Sequence, residues 1–377
     1  MVFKALKDIA HITMGQSPES ESYNDEKVGI PFFQGNADFG EIYPNNRIWC
    51  SSPKKIAEPG DILISVRAPI GALNYAKERC CIGRGLAAIS IKDEAERNYV
   101  FHLLKAKNKE LNRKGTGSTF KAIGKNVLEE VQVPQISTKE QQKRMSIMDY
   151  LESIIRKRRE QLLFLDELIK ARFVEMFGDP ITNPKGWEHI TVGDVCSSIV
   201  RGPFGSALKK EFFVEPSDNT YKVYEQKHAI QKSADIGTYY ITAEKFAELK
   251  RFECLPGDIL MSCSGTMGEL FQLPDGCERG IINQALCKFT LNERILPICF
   301  LTYMRQTIGN LETKGSGIQN IAAVSYVKAM PINLPTMDVQ EKFADFVKQI
   351  DKSKVAIQKS LAETQLLFDK LMQDYFG

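Results

Sequence analysis

The chain has 377 residues, 43% hydrophobic and 26% charged, with a net charge of +3 and a pI near 8.2. That composition excludes a disordered chain, and the length excludes a single hydrophobic core, so two or three domains are expected. The small basic excess permits a polyanionic partner but lacks the clear cationic surplus of a free-standing nucleic-acid binder.

Taken in chain order, residues 1–138 form a first module of short strand-like runs punctuated by Gly and Pro. The run Asp61–Val66 follows the Pro59-Gly60 turn, and Leu86–Ile91 is a second apolar run bounded by Gly85. A helix is predicted from about Arg97 to Asn112. Residues 139–178 form a long helix with apolar positions at Met148, Leu151, Ile155, Leu162, Leu165, Ile169 and Met176, close to a heptad seam that Arg158 and Arg172 interrupt. Gly178 and Pro180 end it. Residues 179–337 form a second module, and 338–377 a second long helix with its seam at Val347, Ile350, Ile357, Leu361, Phe368, Leu371 and Tyr375. Each seam is the natural cover for the other. An antiparallel pair of roughly 33-residue helices, about 50 Å long at 1.5 Å per residue, would hold the two modules at opposite ends and fix their spacing.

The second half repeats the first. Glu58-Pro-Gly-Asp-Ile-Leu-Ile-Ser65 recurs as Leu255-Pro-Gly-Asp-Ile-Leu-Met-Ser262, and Lys114-Gly-Thr-Gly-Ser118 as Lys314-Gly-Ser-Gly-Ile318. Val133-Pro134 before one helix answers to Leu334-Pro335 before the other, and Gln141–Gly178 runs parallel to Gln340–Gly377 at an offset of 199. Fifty-three positions separate Asp8 from Asp61, and 64 separate Asp194 from Asp258, so the second module carries about eleven extra residues there. The expected fold is α+β: two tandem mixed α/β modules, two long antiparallel coiled-coil helices and an internal pseudo-two-fold repeat.

No catalytic constellation stands out. The chain has neither a Walker phosphate loop nor a Gly-x-Gly-x-x-Gly after a strand, and Gly83-Arg84-Gly85 and Gly115-Thr116-Gly117 suit turns. The four histidines match no zinc or triad spacing, and the nine cysteines include no Cys-x-x-Cys pair, so reduced structural thiols are expected and no metal site. No apolar signal region follows Met1, and no apolar run is long enough to span a bilayer, which gives the expectation of a cytoplasmic chain with no membrane contact.

The repeated Gly-rich loops combine a cation, backbone amides and small polar side chains, a set that can accept phosphate oxygens, while Gln or Asn can read an adenine edge. A loop re-entering the core through Phe120 or Ile321 explains the same residues without a ligand. The candidate DNA contacts are Lys114, Ser118, Thr119 and Lys121 in the first loop and Lys314, Ser316, Gln319 and Asn320 in the second. Arg67 and Arg84 join them in the first module, Arg201 and Lys209 in the second. The Pro-Gly-Asp turns read as structural. The segments after them, Arg67-Ala-Pro-Ile-Gly71 and Ser264-Gly-Thr-Met-Gly268, differ between the copies, as two modules reading different sequences require.

In the order of these motifs, together with Gly186-Trp187-Glu188 and Val192-Gly193-Asp194-Val195 opening the second module, the chain resembles the DNA-specificity subunits of type I restriction–modification systems. The first copy departs from the pattern, since Phe3-Lys4-Ala5-Leu6 lacks Trp-Glu. The resemblance implies two target-recognition domains, each binding half of a split site in double-stranded DNA. It also implies that the helices dock two methyltransferase (modification) subunits, with restriction (translocase–nuclease) subunits able to join. S-adenosylmethionine is then expected on the methyltransferase partners, with no cofactor and no catalysis in this chain. The alternatives are a related nuclease or modification enzyme with its own catalytic site, and a protein-only coiled-coil adaptor.

Overall fold

A computed structural model describes residues 2–117, 121–312 and 324–377. The chain divides into two compact units, Met1–Glu160 with Gln358–Gly377, and Gln161–Ile357. Each unit takes one module and half of each long helix.

In the first unit the elements are β1 (Val2–Ala5), β2 (His11–Met14), β3 (Tyr23–Asn24), β4 (Ile30–Phe33), β5 (Trp49–Cys50), β6 (Ile56–Ala57), β7 (Ile62–Ser65), β8 (Leu73–Tyr75), β9 (Cys80–Ile82) and β10 (Leu86–Ser90), then α1 (Glu94–Ala106), α2 (Asn108–Lys114), α3 (Lys125–Glu129), β11 (Gln132–Gln135) and the long α4 (Thr138–Phe177). The second unit adds β12 (Glu188–Thr191), β13 (Cys196–Arg201), β14 (Thr220–Tyr224), α5 (Gln226–Gln231), β15 (Tyr240–Thr242), α6 (Ala243–Glu248), β16 (Glu253–Cys254), β17 (Ile259–Ser262), β18 (Leu270–Gln272), β19 (Gly280–Ile282), β20 (Leu286–Leu291), α7 (Pro297–Glu312), α8 (Val324–Lys328), β21 (Pro331–Leu334) and the long α9 (Met337–Phe376).

The two units repeat one topology. A four-stranded sheet, β2-β10-β7-β8, has its counterpart in β13-β20-β17-β18. A second sheet is built around the parallel pair β4–β9 in one unit and β14–β19 in the other. Each module is closed where it begins and ends: β1 pairs with β11, Val2 opposite Gln135, and β12 pairs with β21, Glu188 opposite Leu334.

The Pro-Gly-Asp turns set the central strand. Gly60 and Gly257 both have φ +87, a left-handed value that a β-carbon would strain. Asp61 and Asp258 then accept the backbone N–H of Glu58 and Leu255 at 2.9 and 2.8 Å. The strands that follow are buried at every position, apolar up to a closing serine, because both of their faces are covered. Ile62 and Ile64 face the core that α1, α4 and α9 help to form, whereas Leu63 joins Leu86 of its own sheet in packing on Phe33 and Ile82 of the second sheet. Ile259 and Met261 divide from Leu260 in the same way.

The predicted helix over 97–112 starts earlier, at Glu94, because Asp93 caps it by accepting Glu96 N–H at 2.8 Å. It breaks at Lys107 into α1 and α2.

Within each unit the long helices run antiparallel. In the first, Arg144 stacks on Tyr375 at 4.7 Å, while Leu151, Ile155 and Phe368 enter the core. In the second, Asp166 pairs with Lys354 at 2.6 Å, Arg172 lies over Phe346 at 5.6 Å, and Phe343 packs edge-on against Phe173 and Phe177. The other seam residues, Leu162, Leu165, Ile169, Ile350, Ile357, Leu361 and Leu371, are half-buried. Two helices alone shield only their shared stripe, so the seam is fully covered only where a module also packs on it. Arg158 and Arg172, which interrupt the apolar pattern, are likewise half-buried. No helix among the described residues is long and apolar enough to cross a membrane.

Candidate functional site

The strand ends of the first unit are tied edge to edge by backbone hydrogen bonds. Gly15 N–H donates to Leu86 O at 2.9 Å and Gln16 N–H to Ile82 O at 3.0 Å. Gly83 N–H donates to Phe33 O, Gly85 N–H to Gln34 O and Val66 N–H to Gly85 O, all within 3.1 Å. The ladder continues through Ile123 N–H to Val66 O and Ala68 N–H to Lys121 O, beside the small turn in which Thr116 and Ala122 exchange both bonds. One edge therefore gathers Gln16, Gln34, Arg67, Arg84, Thr116 and Lys121, all exposed. A β-carbon on Gly15 would lie 2.1 Å from Gly83 O, so this crossing requires glycine.

The second unit builds the same edge. Gly202 N–H donates to Leu286 O, Asn283 N–H to Tyr224 O and Cys263 N–H to Ala285 O, at 2.8–3.0 Å. A β-carbon on Gly202 would meet Asn283 O at 1.9 Å.

The loops after β7 and β17 share a frame. Ser65 Oγ donates to Pro69 O at 2.7 Å and accepts Ala72 N–H at 2.9 Å; Ser262 Oγ donates to Thr266 O at 2.6 Å and accepts Glu269 N–H at 2.9 Å. Gly71 and Gly268, at φ +85 and +80, close the loops on Ser65 O and Ser262 O. On this common frame the exposed tips differ: Arg67, Ala68 and Pro69 in one, Gly265 and Thr266 in the other.

The structure brings Arg67, Arg84 and Lys121 together on one edge. None of the three forms an ion pair among the described residues. Lys114 ends α2 two residues before Thr116 and is paired to Glu110 at 2.9 Å. Arg201 ends β13, where its Nε donates to Gln284 O at 3.2 Å and its guanidinium stacks on Phe204 at 5.6 Å. Lys209 pairs with Glu211 at 3.5 Å on a separate turn. Ser118, Thr119, Lys314, Ser316, Gln319 and Asn320 lie outside the described residues, and with the last four goes the whole second Gly-rich loop.

Sequence reasoning missed several polar residues on these edges, Gln16 among them. Ser17 and the Gln34 amide hydrogen-bond at 3.0–3.1 Å in the first unit, and Gln226 and Gln284 border the second. The available signal was a glycine directly after a strand in both copies, Gly15 and Gly202.

Comparison with known proteins gives a consistent picture. Residues 1–163 and 184–365 match the family described as the type I restriction modification DNA specificity domain. The putative type I restriction enzyme MjaX specificity subunit of Methanocaldococcus jannaschii is 46% identical over 155 residues, which cover 40% of this chain and 36% of that protein. The MjaIX specificity subunit of the same organism is 28% identical over 218 residues, 51% of this chain and 50% of that one. The matches thus span about a third to a half of these curated relatives. Among solved structures, the S subunit of a type I restriction–modification system from M. genitalium aligns over 100% of this chain and 96% of its own, with a TM-score of 0.56 at 15% identity. A chain from a structural study of assembly and conformational transition in the type I R-M system aligns over 100% and 97%, with a TM-score of 0.62 at 15% identity.

Proposed function

The chain belongs to the type I restriction–modification DNA specificity family, and from that premise we propose that it reads a bipartite site in double-stranded DNA, one half with each module, on behalf of methyltransferase subunits. The observation that carries this reading is the shared edge: one hydrogen-bonded frame built twice, with different side chains at its tips. In the first unit the edge also presents three cations with no ion pair among the described residues, a natural match for phosphates.

The chain carries no chemistry of its own in this reading. Two methyltransferase subunits, which hold S-adenosylmethionine, dock on the long helices, and restriction subunits can join them. The helices present apolar side chains that a soluble coil has no reason to expose: Leu163, Phe164 and Val355 in the second unit, and Leu366 and Leu367, 72% and 47% exposed, in the first. The mild net charge fits a DNA channel to which partners add cations.

The test is a gel shift with the chain alone and with a co-expressed methyltransferase subunit. Combined replacement of Arg67, Arg84 and Lys121 by Ala should weaken binding to all duplexes alike. It should also reduce the slope of log affinity against log salt by about 0.9 for each phosphate that is no longer neutralised. Lys114→Ala, which removes a cation already paired with Glu110, should change the slope less. An unaltered slope in the triple variant would separate this edge from DNA.

A further inference from the structure

We propose that Asn108 and Asn112 in the first unit, and Gln226 in the second, are positioning residues that set the shape of the loops after β7 and β17 and thereby the bases each module accepts. The proposal rests on the reading that these loops face DNA.

The loop after β7 turns carbonyls toward α2. Asn108 Nδ2 donates to Ile70 O at 3.2 Å and to Gly71 O at 3.0 Å, and Asn112 Nδ2 donates to Ile70 O at 2.8 Å. Asn112 also donates to Asn108 Oδ1 at 3.0 Å, so the two amides act as one clamp from a single helix face, four residues apart. Gly71 makes room for it, since a β-carbon there would lie 2.5 Å from Asn108 Nδ2.

The loop after β17 has the same serine frame but, among the described residues, no such clamp on that side. Opposite Gly268 stands Ile308 of α7, whose Cγ2 would be 2.5 Å from an added β-carbon and which has no hydrogen bond to offer. The amide comes from α5 instead: Gln226 Nε2 donates to Ser264 O and, at 3.2 Å, to Thr266 O. One loop is held through Ile70 and Gly71 at its return, the other through Ser264 and Thr266 at its tip.

All three amides are half-buried and each donates to loop carbonyls, so they act through the loop. Without the clamp Ile70 O, Gly71 O and Ser264 O lose these donors, Thr266 O is left with Ser262 Oγ, and the tip loses its fixed geometry. Discrimination between bases depends on that geometry, whereas phosphate attraction does not. Loop sequence alone is therefore an incomplete specificity element, and a graft of residues 263–268 into the first unit needs its own clamp.

The experiment uses the complex of the full chain with its methyltransferase subunit. Methylation rates are measured on duplexes carrying single-base changes in either half-site, alongside non-specific affinity and the urea midpoint, for Asn112→Ala, Gln226→Ala and Gln226→Glu. The last keeps the side-chain shape and removes the donor. Asn112→Ala should lower discrimination about tenfold at one or two positions of one half-site, leaving the other half-site and non-specific affinity unchanged. Both Gln226 variants should do the converse. Folded variants with unchanged discrimination, or relaxation of both half-sites together, would overturn the proposal. If module exchange moves a half-site while the clamp variants do not relax it, only the clamp fails; if exchange moves nothing, the DNA-reading premise fails.

Discussion

Replacing residues 187–334 with the corresponding segment of another family member is expected to change one half of the recognised sequence and leave the other half as it was. The segment is closed by its own ends, because Glu188 pairs with Leu334 across β12 and β21. It contains both sheets of the second unit, the Gly202 crossing and the whole loop from Ser262 to Glu269. The chain on either side, Phe173 and Phe177 of α4 and Phe343 of α9, stays in place as the apolar floor on which the module packs. Two mismatched base pairs at about 1–3 kcal/mol each lower methylation of the original half-site by about thirtyfold or more. Sequencing of methylated DNA from cells expressing the chimera and its methyltransferase subunit provides the readout. A folded chimera that alters both halves, or neither, would contradict two independent readers. The first module offers the reciprocal exchange, with Val2 opposite Gln135 at its closure.

Asp258→Ala should cost about 3–5 kcal/mol, because it strands a buried ammonium. Asp258 and Lys288 are both almost fully buried, with Oδ2 3.0 Å from Nζ. The carboxylate also accepts Thr290 Oγ1 at 2.5 Å and Leu255 N–H at 2.8 Å. In the first unit Asp61 caps the same turn, but Ala88 and Ser90 stand where Lys288 and Thr290 do, so the ion pair is an addition of the second copy. Asp258→Asn combined with Lys288→Met keeps an acceptor for the turn, removes both charges, and should recover most of the loss, since a buried pair replaced by apolar groups is often close to neutral. The chain has two tryptophans, Trp49 in the first unit and Trp187 in the second, so Trp187 fluorescence in a Trp49→Phe background follows the second unit alone. For a slope of about 1–3 kcal/mol per molar urea, the midpoint in Asp258→Ala falls by about 1 M or more. A shift of a few tenths molar, or a double variant no better than the single, would show that the pair carries little.

Repetition made the fold legible. The two Pro-Gly-Asp turns, the apolar runs Ile62–Ile64 and Ile259–Met261, and the heptad stripes ending in Phe177 and Phe376 are local patterns that burial imposes on sequence. Lys354 escaped notice because a charge in an apolar stripe looks like an interruption, whereas here it completes the seam by pairing with Asp166. The candidate edge was legible in part. Arg67 and Arg84 lie beside glycine turns that sequence picks out, and Lys121 follows the Gly-rich loop. Gln34 and the clamping amides were not legible. Asn108 and Asn112 lie about forty residues from the carbonyls they hold, and no local periodicity signals a hydrogen bond made across the fold.

The central claim is that this chain gives a methyltransferase its bipartite target. The direct measurement is genome-wide mapping of N6-methyladenine in a host free of such methylation, expressing the chain, the methyltransferase subunit, or both. The account predicts methylation only when both are present, at one motif made of two specified halves separated by unread bases. Methylation by either protein alone at that motif, or a single uninterrupted motif from the pair, would contradict it.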